Sequence, residues 1–574
     1  MPDTSNRAIA DFIEEYSILL ELSGANPFRI RSYANAVRTF ELLDREAADL
    51  VAEGTLTKVK GVGKSVAELV VEYLQTGTAL AYEELKGEVP SGLLDMLRIQ
   101  GLGPKKIRAL HEQKQISDLD ALEAACRDGS IAEVSGFGAK TQANILKGIE
   151  YVRQYQGLFL VDTATELAAE LEAHLKAHPA VSQLQRAGSL RRCKEVVKDI
   201  DLVAATDQPQ IVSQAFATHP RVVDILSQGD TKTTVQLDNG MQADLRLVGT
   251  DTFAATLHHF TGSKEHNIQL RARAQAQGMH LNEYGLQRDG QAVDCSSEEA
   301  LFAALGLAYI PPELREGAGE VEAAEAADLP QLVRPEDIRG MLHVHSNYSD
   351  GADTLEEMAQ AVKERGYSYL GMCDHSQAAA YAGGLKEDDV RRQHEEIERL
   401  NERLDDFHIF KGIESDILTD GSLDYPDAVL ETFDFIVVSV HSQFTMSQAD
   451  MTARIIRAIE HPASTIVGHL TGRLLLDRDG YAVDVDAVVD AAARCNTAIE
   501  INANPHRLDI DWRHVRRARD LGIKLPINTD AHRIGGLDDI GFGIGIARKG
   551  WLRPQDVLNT LETDALAAYF AGAR

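Results

Sequence analysis

The chain has 574 residues, 44% of them hydrophobic and 26% charged, an ordinary globular composition that excludes a mainly disordered polymer. At roughly 100–200 residues per domain, that length predicts about three to five domains or subdomains. Its 89 acidic and 58 basic residues give a net charge of −31, which excludes a plain basic nucleic-acid coat but not an enzyme with local basic surfaces.

Five cysteines, Cys126, Cys193, Cys295, Cys373 and Cys495, are odd in number, scattered and without a C-x-x-C pair, as in a reducing compartment. No apolar run reaches the ~18 residues of a membrane span. The opening Met1-Pro-Asp-Thr-Ser-Asn lacks the basic-then-apolar order of a secretory leader. A cytoplasmic protein without membrane contact is expected, with a monomer as the default.

Residues 1–155 read as helical, in two parts, 1–85 and 86–155. Ile9, Phe12, Ile13, Tyr16, Leu19 and Leu20 recur at helical spacing. Three segments repeat one pattern: Gly61-Val-Gly63 with Lys64, Gly101-Leu-Gly103 with Lys105 and Lys106, and Gly136-Phe-Gly138 with Lys140. A tight turn opening a helix exposes backbone N–H groups that suit a phosphate, and the lysines add charge without base specificity. The triplet resembles the helix-hairpin-helix motif, which implies that these glycines and lysines hold DNA backbone whatever its sequence.

Residues 156–258 change character. Ala187-Gly188-Ser189-Leu-Arg-Arg192 precedes Asp199-Ile-Asp201, whose alternation on a strand points both carboxylates to one face. Asp244, on a later expected strand, is placed to join them. Asp-x-Asp alone is ordinary on an edge strand; the Gly-Ser-x-Arg-Arg before it and the Asp-x-Arg after it change the reading. Three converging carboxylates repel unless cations bind, and two Mg²⁺ ions about 3.5–4 Å apart are the usual arrangement for phosphoryl transfer. Gly188 admits backbone close to a triphosphate, Ser189 donates to it, and Arg192 neutralises it.

This stretch resembles a nucleotidyltransferase palm of the polymerase beta, or family X, group. His258-His259-Phe260-Thr-Gly262-Ser-Lys264, running on to Asn267 and Arg271, is similar to the segment that binds the nascent base pair, here 259–316. The resemblance implies that Phe260 and Gly262 pack against the incoming sugar, that Asn267 faces the minor groove, and that Arg271 approaches the template. It covers residues 1–316 and implies gapped or nicked duplex DNA and deoxynucleoside triphosphates as partners. Three departures stand out. His259 replaces a usual Tyr, Lys264 replaces a common acidic residue, and Leu69 stands where a Schiff-base lysine gives abasic-site lyase activity; leucine is no nucleophile.

Residues 317–335 are acidic, alanine-rich and free of aromatics, and read as a solvated linker. From 336 to 574 short apolar strands alternate with helices, as in parallel β/α units. Eleven of the 19 histidines lie here, many at expected strand ends: His343, His345, His375, His441, His469 and His532, accompanied by Asp350, Glu414 and Asp530. Imidazole with carboxylate suits Mn²⁺ or Zn²⁺. This half resembles a polymerase and histidinol phosphatase (PHP) domain, which implies a distorted (β/α)7 barrel with up to three metals. By that resemblance His343, His345, Glu414 and Asp530 hold the first, Glu414, His441 and His469 the second, and Asp350, His375 and His532 the third. Glu500 and Asn502 fall behind the ligands, and Cys373 packs.

The expected protein is multidomain α/β: a helical hairpin-bearing N-terminal region, an α+β palm and a C-terminal PHP barrel. Its expected activity is short-gap filling in DNA repair through Asp199, Asp201 and Asp244. A metal-dependent 3′-5′ exonuclease, with abasic-site incision as a further expectation, belongs to the PHP half. The alternatives are a phosphoesterase whose polymerase half only binds DNA, and a DNA-end tethering scaffold.

Overall fold

A computed structural model describes residues 4–572 apart from 42, 44 and 100, and divides the chain into two units, Met1–Gln156 and Gly157–Arg574. Met1, Pro2 and Asp3, the first half of the stretch on which the leader reading rests, lie outside the described residues, as does Gln100 within the second hairpin.

In the first unit the helix Asn6–Leu22 is capped by the Ser5 side chain and buries the apolar stripe read from its spacing. One hydrophobic core runs from Ile9 to Val152, so residues 1–85 and 86–155 share a single interior. The three hairpins have the same backbone. Gly61, Gly101 and Gly136 take φ of +100°, +79° and +93°, a region that favours glycine. The apolar residues Val62, Leu102 and Phe137 are buried as anchors. Gly63, Gly103 and Gly138 then sit extended before the helices Lys64–Thr76, Pro104–Lys114 and Ala139–Gln154, and none has a side-chain cap. The first-turn N–H groups therefore face outward without a capping side chain.

In the second unit a five-stranded palm sheet has the order Gln183–Arg186, Asp199–Ala205, Gln242–Val248, Lys232–Leu237, Val222–Gln228. Its central pair, Asp199–Ala205 with Gln242–Val248, is parallel; the other neighbours are antiparallel. Ile200, Leu202 and Ala204 bury on the face that shares a core with Val161–Lys176 and Pro209–Ala217, while Val203 and Ala205 pack with Phe253 and Leu257 on the other. Period-two alternation leaves Asp199 and Asp201 on that second face, beyond the point where the apolar cover ends. The next segment has helices Phe253–Thr261 and Lys264–Ala276, the second capped by Ser263, and an antiparallel meander over 279–293.

The expected solvated linker is a folded element. Glu320–Glu325 forms a helix whose Val321 and Ala324 join the core of the preceding segment. Glu320 is fully buried, 2.8 Å from His266 Nδ1, and accepts the backbone N–H groups of Gly317 and Ala318. An i, i+3 apolar pair and a partner 54 residues away overrode the acidic composition.

The remaining chain is a curled parallel sheet. Six neighbours follow chain order: Gly340–Val344, Tyr369–Met372, His408–Asp416, Phe435–Ser439, Ile466–Val467 and Ala498–Ile499. The last continues as Ile501–Asn502, which pairs with Ile527–Asn528. A parallel bridge between Val344 and Ala531, with His345 N donating to Ala531 O at 2.9 Å, brings the seventh strand back to the first. Helices intervene between successive strands, so the strands are buried on both faces and read as continuous apolar runs.

The palm and the segment that follows it are tied by a buried charge network. Glu298 accepts from Arg191 at 2.6 Å and from Arg315, which is fully buried, at 2.6 Å. Removing the shared carboxylate leaves Arg315 without its counter-charge. Glu298→Ala is therefore expected to destabilise the second unit by about 3–5 kcal/mol, read as a lowered denaturant midpoint for that unit.

Candidate active sites

In the palm the parallel register sets Asp201 directly beside Asp244, with Asp199 two residues before Asp201 on the same face. The three carboxylates thus converge. Burial first, and then the charges of Asp199 and Asp244, push the Asp201 carboxyl up to about 7. Asp199 is raised as well, by burial and then by Asp244. A site that disfavours its own negative charge in this way fits hard divalent cations on carboxylate oxygens. Asp244 is oriented by Lys232 Nζ at 2.6 Å, Thr234 Oγ1 at 2.7 Å and Gln242 Nε2 at 3.3 Å.

Gly188 lies against this cluster. It has φ +62°, and a Cβ there would collide with the Asp201 carboxylate. Ala187 N donates to Asp201 O at 2.7 Å, which ties the loop to the strand. Ser189 follows in the short helix Gly188–Arg191. Arg192 Nε meets Glu316 at 3.1 Å, and its guanidinium also donates to the Thr261 carbonyl. Gly262 has φ +69°, and a Cβ there would come within 3.1 Å of Arg192. Phe260 stacks under Arg246, whose guanidinium carbon is 4.2 Å from the ring centroid. Asn267 donates to His259 O at 2.8 Å, and Arg271 is exposed. Lys232 and Arg246 were not selected from sequence. The Asp-x-Arg spacing was the signal for Arg246, which shares a strand face with Asp244; nothing local marked Lys232.

In the PHP half all nine expected residues meet at one end of the sheet. Glu414 is fully buried, and five imidazoles surround it: His375 at 2.8 Å, His469 at 2.9 Å, His441 at 3.2 Å, His343 at 3.6 Å and His345 at 3.7 Å. Asp530 is 3.1 Å from His345 and 3.6 Å from His343. Asp350 is 3.3 Å from His532 and 3.6 Å from His375. His375 thus stands between Glu414 and Asp350, and His345 Nε2 between Glu414 and Asp530. The tightest clusters are His343, His345 and Asp530; His375, Glu414 and His441; and His345, Asp350, His375 and His532. His345 and His375 each fall in two of these groups.

The donor set fits metal ions on its own chemistry. Both Glu414 oxygens, His343 Nε2 and both His345 nitrogens are buried without a hydrogen-bond partner. Burial and the neighbouring His532 and His375 hold His345 down at about 3, as a neutral ligand requires. Burial opposes charge on Glu414, but His441, His375 and His343 outweigh it and hold its carboxyl well below the usual range. Asp530 sits at φ +53°, a strained backbone for a non-glycine residue that the surrounding contacts enforce.

Behind the ligands a second set of groups orients them. Glu500 binds His343 Nδ1 at 2.6 Å and the backbone of His469 at 3.1 Å, and is itself held by Asn502 and Asn528. Asp416, missed from sequence, holds His441 Nδ1 at 2.6 Å. It lies two residues after Glu414 on the same strand, a spacing that marked it as sharing a face. Asp374 is spent on Ser346, Ser349 and Gln393, and Cys373 is buried with its thiol toward Leu342 O.

Residues 256–316 match the family described as DNA polymerase beta thumb, and residues 341–504 match the PHP domain. Residues 4–79 match a helix-hairpin-helix domain and 93–150 a SAM-like helix-hairpin-helix tandem. Among similar proteins, a DNA polymerase/3′-5′ exonuclease PolX from Bacillus subtilis (strain 168) is 38% identical over 565 residues, 98% of this chain and 98% of that protein. A probable phosphatase from Thermoanaerobacter sp. (strain X514) is 26% identical over 235 residues, 38% of this chain and 89% of that protein. Another, from Clostridium acetobutylicum, is 28% identical over 219 residues, 35% of this chain and 82% of that protein. The phosphatase likeness spans a minority of the chain and the PolX likeness nearly all of it, hairpins, palm and imidazole cluster together: the chain belongs to the bacterial family X DNA polymerases that carry a C-terminal PHP domain.

Proposed function

We propose that this protein is a template-directed DNA polymerase that fills short gaps during repair, with a metal-dependent 3′-5′ exonuclease in its PHP domain. The observation that carries the polymerase half is the convergence of Asp199, Asp201 and Asp244 beneath a loop held against them at Gly188. Asp199 and Asp201 hold the palm cations, with Mg²⁺ as the expected ion. Bound there, divalent cations supply charge neutralisation for attack of the primer 3′-oxygen and for departure of pyrophosphate. Asp244, fixed by Lys232, Thr234 and Gln242, faces the primer 3′-hydroxyl and assists its deprotonation. Ser189 and Arg192 take triphosphate oxygens, Phe260 and Gly262 line the sugar, and Arg271 meets the template strand.

In the PHP half His343, His345, Asp350, His375, Glu414, His441, His469, Asp530 and His532 hold up to three ions, Mn²⁺ or Zn²⁺ by donor type. Such ions supply an activated water and stabilise the leaving oxygen in phosphodiester hydrolysis. Glu500 and Asp416 fix the His343 and His441 rings by their Nδ1 atoms, leaving Nε2 for a metal. Glu500 further aligns the His469 backbone. The hairpin lysines Lys64, Lys105 and Lys140 are exposed and hold DNA backbone with the glycine turns. Five unpaired cysteines accord with a reducing cytoplasm, and among the described residues no helix is long and apolar enough to cross a membrane. Gapped or nicked duplex is the expected substrate, and a monomer the working form.

A labelled primer on a short gapped duplex with Mn²⁺ tests the two-centre reading. Asp201→Ala should abolish lengthening and keep shortening, and His343→Ala should do the reverse. Shortening without any lengthening by the unaltered protein would make it a nuclease alone. For the hairpins, Lys105→Glu should weaken DNA binding and reduce the slope of log affinity against log salt by about 1; an unchanged slope removes Lys105 from the contact. Leu69 is buried and offers no amine, so borohydride should trap no adduct on the hairpin unit with an incised abasic site. An adduct mapping to residues 4–156 would contradict that.

A further inference from the structure

The loop that carries Arg192 is backed by the PHP domain. The helix Ile540–Lys549 follows the last strand of the curled sheet and packs on Arg192 and Cys193. At Gly545 an added Cβ would lie 3.0 Å from Cys193 Cβ and 3.1 Å from its sulfur, so only glycine allows this approach without a shift. Cys193 itself has φ +53°, a left-handed turn that carries the chain past the helix.

Lys549 ends that helix. Its side chain is fully buried and donates to Arg192 O at 2.9 Å and to Glu316 Oε1 at 2.5 Å. The same Glu316 carboxylate takes Arg192 Nε at 3.1 Å and lies 3.4 Å from Lys194 Nζ. The Trp512 ring lies under both ammonium groups, 4.9 Å from Lys549 Nζ and 5.4 Å from Lys194 Nζ. Arg192, Lys194 and Lys549 thus gather on one Glu316 carboxylate, with Lys549 fully buried. Arg192 is held at its carbonyl by Lys549 and at two guanidinium nitrogens by Glu316 and the Thr261 carbonyl.

We propose that Lys549, a residue of the PHP domain, is a positioning residue for the polymerase: by gripping the Arg192 carbonyl and sharing Glu316, it aims the Arg192 guanidinium at the triphosphate of the incoming nucleotide. The nuclease domain then completes the nucleotide site of the polymerase. Lys549 touches no substrate; it acts through Arg192 and through the charge of Glu316. The inference rests on the polymerase reading of the palm, and it deepens that reading by naming the group that holds the triphosphate ligand in place.

The test uses the full-length protein, single-nucleotide insertion on a gapped duplex, and shortening of a single-stranded oligonucleotide as an internal control. Lys549→Met, Glu316→Gln and the double variant are compared. Losing one charge-assisted contact to the arginine should raise the KM for the deoxynucleotide about tenfold while kcat changes less than about threefold. Shortening should stay within about twofold of the unaltered protein, because the PHP ligands are untouched. The double variant should be no worse than the worse single one, since both act on one guanidinium. An unchanged KM in a variant that still shortens DNA overturns the proposal. So does a parallel loss of both activities in Lys549→Met and in Glu316→Gln, which would make the network a structural strut. If the unaltered protein adds no nucleotide, it is the polymerase reading that fails, and this is visible before any variant is made.

Discussion

Glu414 is the constraint around which the C-terminal half is built. A fully buried carboxylate has five imidazoles within 3.7 Å and no hydrogen-bond donor on either oxygen. Burying unpartnered polar atoms is unfavourable by several kcal/mol each in order of magnitude, so a folded chain keeps such a cluster only if something completes it. The palm poses the same problem in another form, with three carboxylates brought together by strand register and one of them pushed up to about 7. Both centres call for cations, and their ligands are oriented by Glu500, Asp416, Thr234 and Lys232. Such preorganisation is what lets binding energy go into the chemistry rather than into ordering the site.

The two centres also share scaffold. Buried charges join the palm to later parts of the chain at two levels, Arg191 and Arg315 on Glu298, and Arg192, Lys194 and Lys549 on Glu316. Buried ion pairs of this kind contribute little net stability over apolar packing, but they are exacting about geometry. Their worth here lies in orientation. The loop that carries Arg192 and Cys193 packs against the helix Ile540–Lys549, with Gly545 facing Cys193.

Much of this was legible in the sequence because its signals are local or repeat. The hairpins announce themselves three times over, and the structure repeats their φ values. His343-Val-His345, Asp199-Ile-Asp201 and Asp530-Ala-His532 carry the two-residue spacing of a strand face or strand end. The features that sequence did not reveal depend on partners far along the chain. Lys549 and Glu316 are 233 residues apart, Arg191 and Glu298 107. The acidic stretch around Glu320 reads as a linker until His266 is placed beside it. Composition reports solvation only when no distant residue claims the charge. Spacing along separate strands does not say which imidazole lies nearest which carboxylate; the grouping of the nine PHP residues came from the resemblance alone.

The central claim is that both clusters are held together by cations, and ion stoichiometry tests it most directly. The metal-stripped protein would be titrated with Mn²⁺, following free ion by its paramagnetic signal, beside Glu414→Gln and Asp201→Ala. The account predicts more than one tightly bound ion in the unaltered chain, a loss of ions from the imidazole cluster in Glu414→Gln, and retention of those ions in Asp201→Ala. Unchanged stoichiometry in Glu414→Gln, or no tight binding at all, would contradict it.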